Sequence, residues 1–262
     1  MFGAFHISAA AAVIAAAFLA ARRLSVSIGA GIPSDEINNS IDRILAVSGW
    51  ILIITEIYKQ LFLYHIVNNG AYDWWYFPFQ LCSVPMYLCV LLPLTVGRLR
   101  DAFLTFMATF TFVSASAALA FPEDFLRTYV TLTVHGFVWH GVLLFISLFI
   151  LFSHQADLSR RGFARAAGLF ILLSAAAILI NILSESRMAK AHSAHIIPNN
   201  YAAMFYMNPY HISPQPVVGT VQEMTCIPLG LALYALAVIS AAGLVCICFS
   251  RFGRISRSGR ER

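Results

Sequence analysis

The stretch Phe77-Pro78-Phe79-Gln80-Leu81-Cys82-Ser83-Val84-Pro85 decides how this chain is read. It opens an apolar run that continues to about residue 96. Pro78 suits the first turn of a helix, where a missing N–H costs nothing. Pro85 then falls inside that helix, where its absent N–H leaves the Leu81 carbonyl without its usual partner. The sequence therefore predicts a kinked helix over 76–96, with a thiol and an orphan carbonyl within one turn. In hydrocarbon such a carbonyl needs a polar neighbour. His140, in another apolar segment, is the candidate. A buried cysteine is by default a small hydrophobe; the prolines, Gln80 and His140 are what lift Cys82 above that default.

Outward from this stretch the chain is 60% hydrophobic and 11% charged, with a mean hydropathy of +0.76 over its 262 residues. Soluble domains carry about 25% charged residues. The sequence thus predicts an all-α, polytopic membrane helical bundle. About seven apolar segments approach the ~20 residues needed to span a bilayer: 2–21, 43–67, 76–96, 102–121, 130–152, 164–184 and 225–250. Residues 1–250 read as a single transmembrane domain and 251–262 as a basic cytoplasmic tail. The first segment reads as a retained helix, because Arg22 and Arg23 follow the apolar run where a signal peptide has its basic residues in front.

Arginines set the expected topology. Arg22, Arg23, Arg98, Arg100, Arg160, Arg161, Arg165 and the tail arginines fall on one side; Arg127, Arg187 and Lys190 fall on the other. The positive-inside rule then places the N-terminus outside and the C-terminus in the cytoplasm. The loops expected outside hold Tyr72, Trp74, Trp75 and Tyr76, an interfacial belt. Loop 185–224 is the one long connection, and its Ala202–Met207 run is apolar enough to lie on the membrane surface or re-enter.

Ionisable and amide groups within spans are costly and mark sites. Glu56 and Lys59 are three apart and share a helix face. A structural ion pair would explain them equally well. His140 lies mid-segment, Asn181 near the outer end of its own. By helix rise, Cys82 lies ~9 Å and His140 ~15 Å below the outer surface. The deep polar groups gather in the outer half and suggest a cavity open to the outside or to the outer leaflet.

A thiol beside an imidazole becomes a nucleophilic thiolate, and Glu56, Gln80 or Asn181 could orient the ring. Acyl transfer from a membrane lipid is the reaction class that fits. The competing reading is a transporter or small-molecule binding membrane protein, which would need polar groups through both halves of the bilayer. No basic–aromatic array suggests nucleic acid. The five cysteines make no disulfide or zinc spacing. His192 and His195, with His211 or Glu223, have ligand types without a recognised metal spacing. No cofactor and no metal are expected.

The Pro78-x-Gln80-Leu81-Cys82 box, His140 and the Asn200-Tyr201 pair resemble the YwaF-like bacterial integral membrane family over most of the chain. More distantly they are similar to the transmembrane protein 164 family of membrane acyltransferases. Those look like the androgen-induced-protein type of membrane hydrolase, which cleaves fatty-acid esters. The resemblance implies Cys82 as nucleophile and His140 as base. Asn200 and Tyr201 follow as supporting residues, with Glu56, Lys59, Gln80 and Asn181 supporting or binding substrate on the residue reading. It also implies a bacterial cytoplasmic membrane.

Overall fold

The structure is a computed structural model that describes residues 3–31, 36–121, 126, 128–191 and 201–258. Among them the fold is all-helical, as the composition demands. The elements are α1 (Ala4–Gly31), α2 (Ile37–Phe62), α3 (Val84–Leu91), α4 (Gly97–Ala120), α5 (Val130–Phe152), α6 (Arg160–Ala191), α7 (Pro216–Met224) and α8 (Ile227–Ser258). Five of these, α1, α4, α5, α6 and α8, are long and apolar enough to cross a membrane. The chain is a multi-pass membrane protein. α2 is 26 residues long but carries Asp42, Arg43, Glu56 and Lys59, and it does not meet the same standard of length and apolarity. The described helices therefore do not establish the expected seven spans.

The deciding stretch differs from its sequence reading. Residues 77–83 are not helical; Leu81, Cys82 and Ser83 form turns. The helix begins at Val84, and Pro85 stands in its first two positions. Pro85 therefore breaks no hydrogen bond, since the first N–H groups of a helix have no intrahelical partner anyway. Pro78 lies in the irregular stretch, where its carbonyl accepts from the Tyr87 hydroxyl at 2.8 Å. The expected mid-helix kink is replaced by a late helix start. α3 and the 3₁₀ turn Leu92–Leu94 that follows are too short to span a bilayer.

α4 and α5 form the centre of the bundle. α1 packs on α5, α2 on α3 and α5, and α6 and α8 on α4. Glycines set the closest approaches. A Cβ at Gly49 of α2 would lie 2.8 Å from the Cys89 Cβ and 3.2 Å from the Met86 carbonyl oxygen on α3. One at Gly141 of α5 would lie 2.7 Å from Val13 of α1.

A column of stacked rings runs through the core. Phe106 stacks on Phe110 (5.1 Å), Phe110 on Phe170 (5.0 Å), Phe170 on Phe205 (6.2 Å) and Phe205 on Phe79 (5.8 Å). The last two rings belong to loops. Residues 202–207 enter the bundle as a plug: Ala202, Ala203, Met204, Phe205 and Met207 are all buried. The run is packed within the bundle.

Irregular backbone is tolerated at membrane depth only where side chains satisfy it. Asn181 of α6 accepts from the Met204 N–H (2.7 Å) and donates to the Met204 carbonyl (3.1 Å). Gln80 accepts from the Phe205 N–H (2.9 Å) and donates to the Ala203 carbonyl (3.0 Å). Asn208 donates to the Ala202 carbonyl at 2.6 Å. Phe205 and Tyr206 have φ of 55° and 56°, unusual for side chains of that bulk.

At the opposite end, ion pairs tie the helix starts together. Arg100 of α4 forks onto Asp42 of α2 through bonds of 2.9 and 2.6 Å. Arg165 of α6 reaches Asp101 at 3.2 Å and Asp157 at 3.7 Å.

Candidate functional site

A cavity of about 330 Å³ opens at the end of the bundle away from the Arg100 and Arg165 pairs. That is within the size range of small-molecule sites. Its walls come from the end of α2, the 75–83 stretch, the end of α4, the beginning of α5, Tyr206 of the plug and the first turns of α8. Leu63, on the wall, opens a π-helical turn, Leu63–Val67, that follows α2. Such turns recur at functional sites.

Cys82 and His140 both line this cavity. Cys82 is half-buried and sits in the turn before α3. The plug holds that turn through Gln80, two residues earlier. His140 is buried on α5. Its Nδ1 lies 2.7 Å from the Gly136 carbonyl oxygen, one turn back along its own helix. A carbonyl only accepts, so the proton of this bond resides on Nδ1 and the lone pair of the neutral ring on Nε2. Trp139 ties the two segments together: its indole N–H donates to the Cys82 carbonyl at 3.3 Å. The sequence predicts His140 beside the Leu81 carbonyl; the bond formed instead joins Trp139, the residue before His140, to the carbonyl of Cys82.

The Glu56–Lys59 ion pair is also at this end. Lys59 lines the cavity and pairs with Glu56 at 2.8 Å. Its ammonium lies 5.8 Å from the Trp139 ring centre, within cation–π range. The other Glu56 oxygen accepts from Gln60 at 2.7 Å, and Gln60 also donates to the Tyr76 carbonyl. Glu56 therefore faces the bundle interior, where Lys59 and Gln60 are its partners. In the loop beyond α2, burial and then the Glu56 charge push the Tyr72 phenol up to about 12. Tyr72 is a neutral group at neutral pH.

The remaining sequence candidates divide. Gln80 lines the cavity, but its amide is committed to the plug. Asn181 is buried and is committed to Met204, outside the lining. Tyr201 stacks on His211 (4.3 Å) and meets Trp75 edge-on (5.5 Å) at the mouth of the plug. His211 in turn contacts Glu185 at 2.9 Å. Asn200, His192 and His195 lie outside the described residues. Among the described residues no three His, Cys, Asp or Glu side chains cluster as a metal site.

Sequence reasoning missed Trp139 and Tyr234, both on the cavity wall. Trp139 could have been found as the indole next to the intramembrane histidine. Tyr234 is an isolated hydroxyl among the leucines and alanines of α8. His135, five residues before His140, belongs to the same wall. It lines the cavity, stacks on Trp139 (5.5 Å), and its Nε2 is buried without a hydrogen-bond partner among the described residues.

Among protein families, the chain matches the TMEM164 family over residues 1–251. No curated protein and no solved structure matches it.

Proposed function

The chain belongs to the TMEM164 family, and from that premise we propose that it is a membrane-embedded lipid acyltransferase or hydrolase. Cys82 is the nucleophile and His140 the base. The observation that carries the reading is that the two share one cavity, with the His140 ring held so that Nε2 keeps its lone pair. Imidazole in that form takes the thiol proton. The thiolate attacks the acyl carbonyl of a membrane lipid, and the leaving group departs with the proton from the imidazolium. A lipid hydroxyl or water then attacks the acyl-Cys82 thioester, with His140 again the base. Lys59, Glu56 and Tyr201 support the site from its rim, while Gln80 and Asn181 act through the plug. In this reading the cavity faces the outer leaflet of a bacterial cytoplasmic membrane, the N-terminus is outside and the C-terminus cytoplasmic. The one-sided arginines support that orientation.

A transporter is less well supported. A pathway needs available polar groups through both halves of the bilayer, whereas in the core beyond the cavity the Ser48, Thr109 and Ser147 hydroxyls donate to carbonyls of their own helices, among Phe106, Phe110, Phe149 and Ile150.

The test is acyl capture. Purified protein in vesicles containing a phospholipid with a labelled acyl chain should acquire label on Cys82, released by hydroxylamine. Cys82→Ala should abolish both label and turnover while the protein still folds. His140→Gln should slow labelling by about 10²–10⁴. Full turnover by Cys82→Ala would reduce the thiol to a structural role.

A further inference from the structure

Tetrahedral intermediates of acyl transfer place a negative charge on the former carbonyl oxygen. In a low-dielectric cavity that charge needs a hydrogen-bond donor aimed at it. Several polar side chains of the lining already donate elsewhere. Gln80 donates to Ala203, Trp139 to the Cys82 carbonyl, Ser114 to the Thr111 carbonyl, and Lys59 is paired with Glu56.

Tyr234 differs. It is the polar residue that α8 contributes to the wall, one turn before Val238, which lines the same cavity. Its ring packs against the core, while Leu229, Leu233 and Leu236 of the same helix are exposed on the outer face of the bundle. A tyrosine so placed normally has a partner for its hydroxyl. Tyr234, Cys82 and His140 line the same cavity. No hydrogen bond to the Tyr234 hydroxyl is formed by the described residues.

Resting on the Cys82–His140 reading, we infer that Tyr234 is a further catalytic residue, which donates its O–H to the oxyanion formed when Cys82 attacks an acyl ester. The step balances without another reactant. The C–S bond forms as the carbonyl π pair moves to oxygen, and the Tyr234 hydroxyl donates a hydrogen bond there without losing its proton. When the pair returns, the C–O bond to the lipid breaks and His140 protonates the departing alkoxide. Phenylalanine at 234 would keep the ring and its packing and lose the donor alone.

Two thiol reactions separate this role from a structural one. Acylation by a labelled phospholipid passes through an oxyanion; alkylation by iodoacetamide is a direct displacement and does not. In Tyr234→Phe the rate of acyl-Cys82 formation should fall about a hundredfold, the loss typical of one oxyanion donor. Its iodoacetamide rate and its melting temperature in detergent should stay at the wild-type values. Ser83→Ala, altering the other hydroxyl beside Cys82 on the wall, is the control and should acylate normally. Equal acylation rates in wild type and Tyr234→Phe overturn the inference. So does a parallel fall in both reactions, which would mean that the hydroxyl maintains the thiol or its surroundings. A selective loss in Ser83→Ala in place of Tyr234→Phe overturns it as well. If wild type takes no label on Cys82, the acyl-transfer reading fails and takes this inference with it.

Discussion

Asn181 has no apolar substitute. Its amide meets both the N–H and the carbonyl of Met204, in a residue that solvent does not reach. Asn181→Leu is close in volume but leaves both backbone groups buried and unpaired, at about 1–3 kcal/mol each. A clear fall in melting temperature in detergent is expected, and an unchanged one would mean that the plug finds other partners. The Glu56–Lys59 pair makes the opposite case, because two changes should hurt less than one. Glu56→Gln leaves the Lys59 ammonium without its counter-charge, whereas Glu56→Gln with Lys59→Met removes both charges. The double variant should melt above the single one; additive losses would show that the two charges do not depend on each other. These roles were half legible. That Glu56 and Lys59 pair follows from their spacing. That Gln80 and Asn181 serve the same loop could not be read, since the bonds cross more than a hundred residues of chain in one case and twenty in the other.

Between elements, glycine decides how near helices come. Gly49→Val places methyl groups against the Cys89 Cβ and the Met86 carbonyl, neither of which can swing away. Overpacking of this kind costs about 1–3 kcal/mol. Because α3 follows directly on the Cys82 turn, the acylation rate should fall with the melting temperature. Gly168 of α6 is the control, since a Cβ there meets nothing. Gly168→Ala should hold or raise the melting temperature, by up to ~1 kcal/mol of helix propensity. α3 is also where hydropathy misled. Residues 77–83 are as apolar as a helix, and apolarity reports burial, not backbone conformation. What keeps them irregular is distant: Gln80 holding the plug and Trp139 holding the Cys82 carbonyl.

At the scale of the whole molecule, the arginines and the cavity occupy opposite ends. Arg43, Arg100 and Arg165 stand at the starts of α2, α4 and α6. The cavity collects the ends of α2 and α4 and the starts of α5 and α8. A reporter fused after Arg262 is expected to read as cytoplasmic and one inserted in 192–200 as external. Both on one side would overturn the proposed orientation. This polarity was legible because each long apolar segment inverts the chain, so charge counts accumulate loop by loop. The plug was legible only as an alternative, because an apolar run of six residues can lie on a membrane as readily as within a bundle.

The plug also imposes an order on synthesis. Gln80 enters the membrane before residues 202–207 have been made, Asn181 before they have left the ribosome, and α8, with Tyr234, follows later still. Until then both amides face a gap in the bundle that lipid tails cannot satisfy and water or a membrane chaperone can. The cavity is thus a late product of translation, closed by the last quarter of the chain around groups inserted long before. A chain ending at residue 191 and released from the ribosome should display the first six helices in a form that is cleaved readily by protease from the cavity side. One that includes plug and α8 should resist, and equal sensitivity of the two would show that the early helices close without their plug.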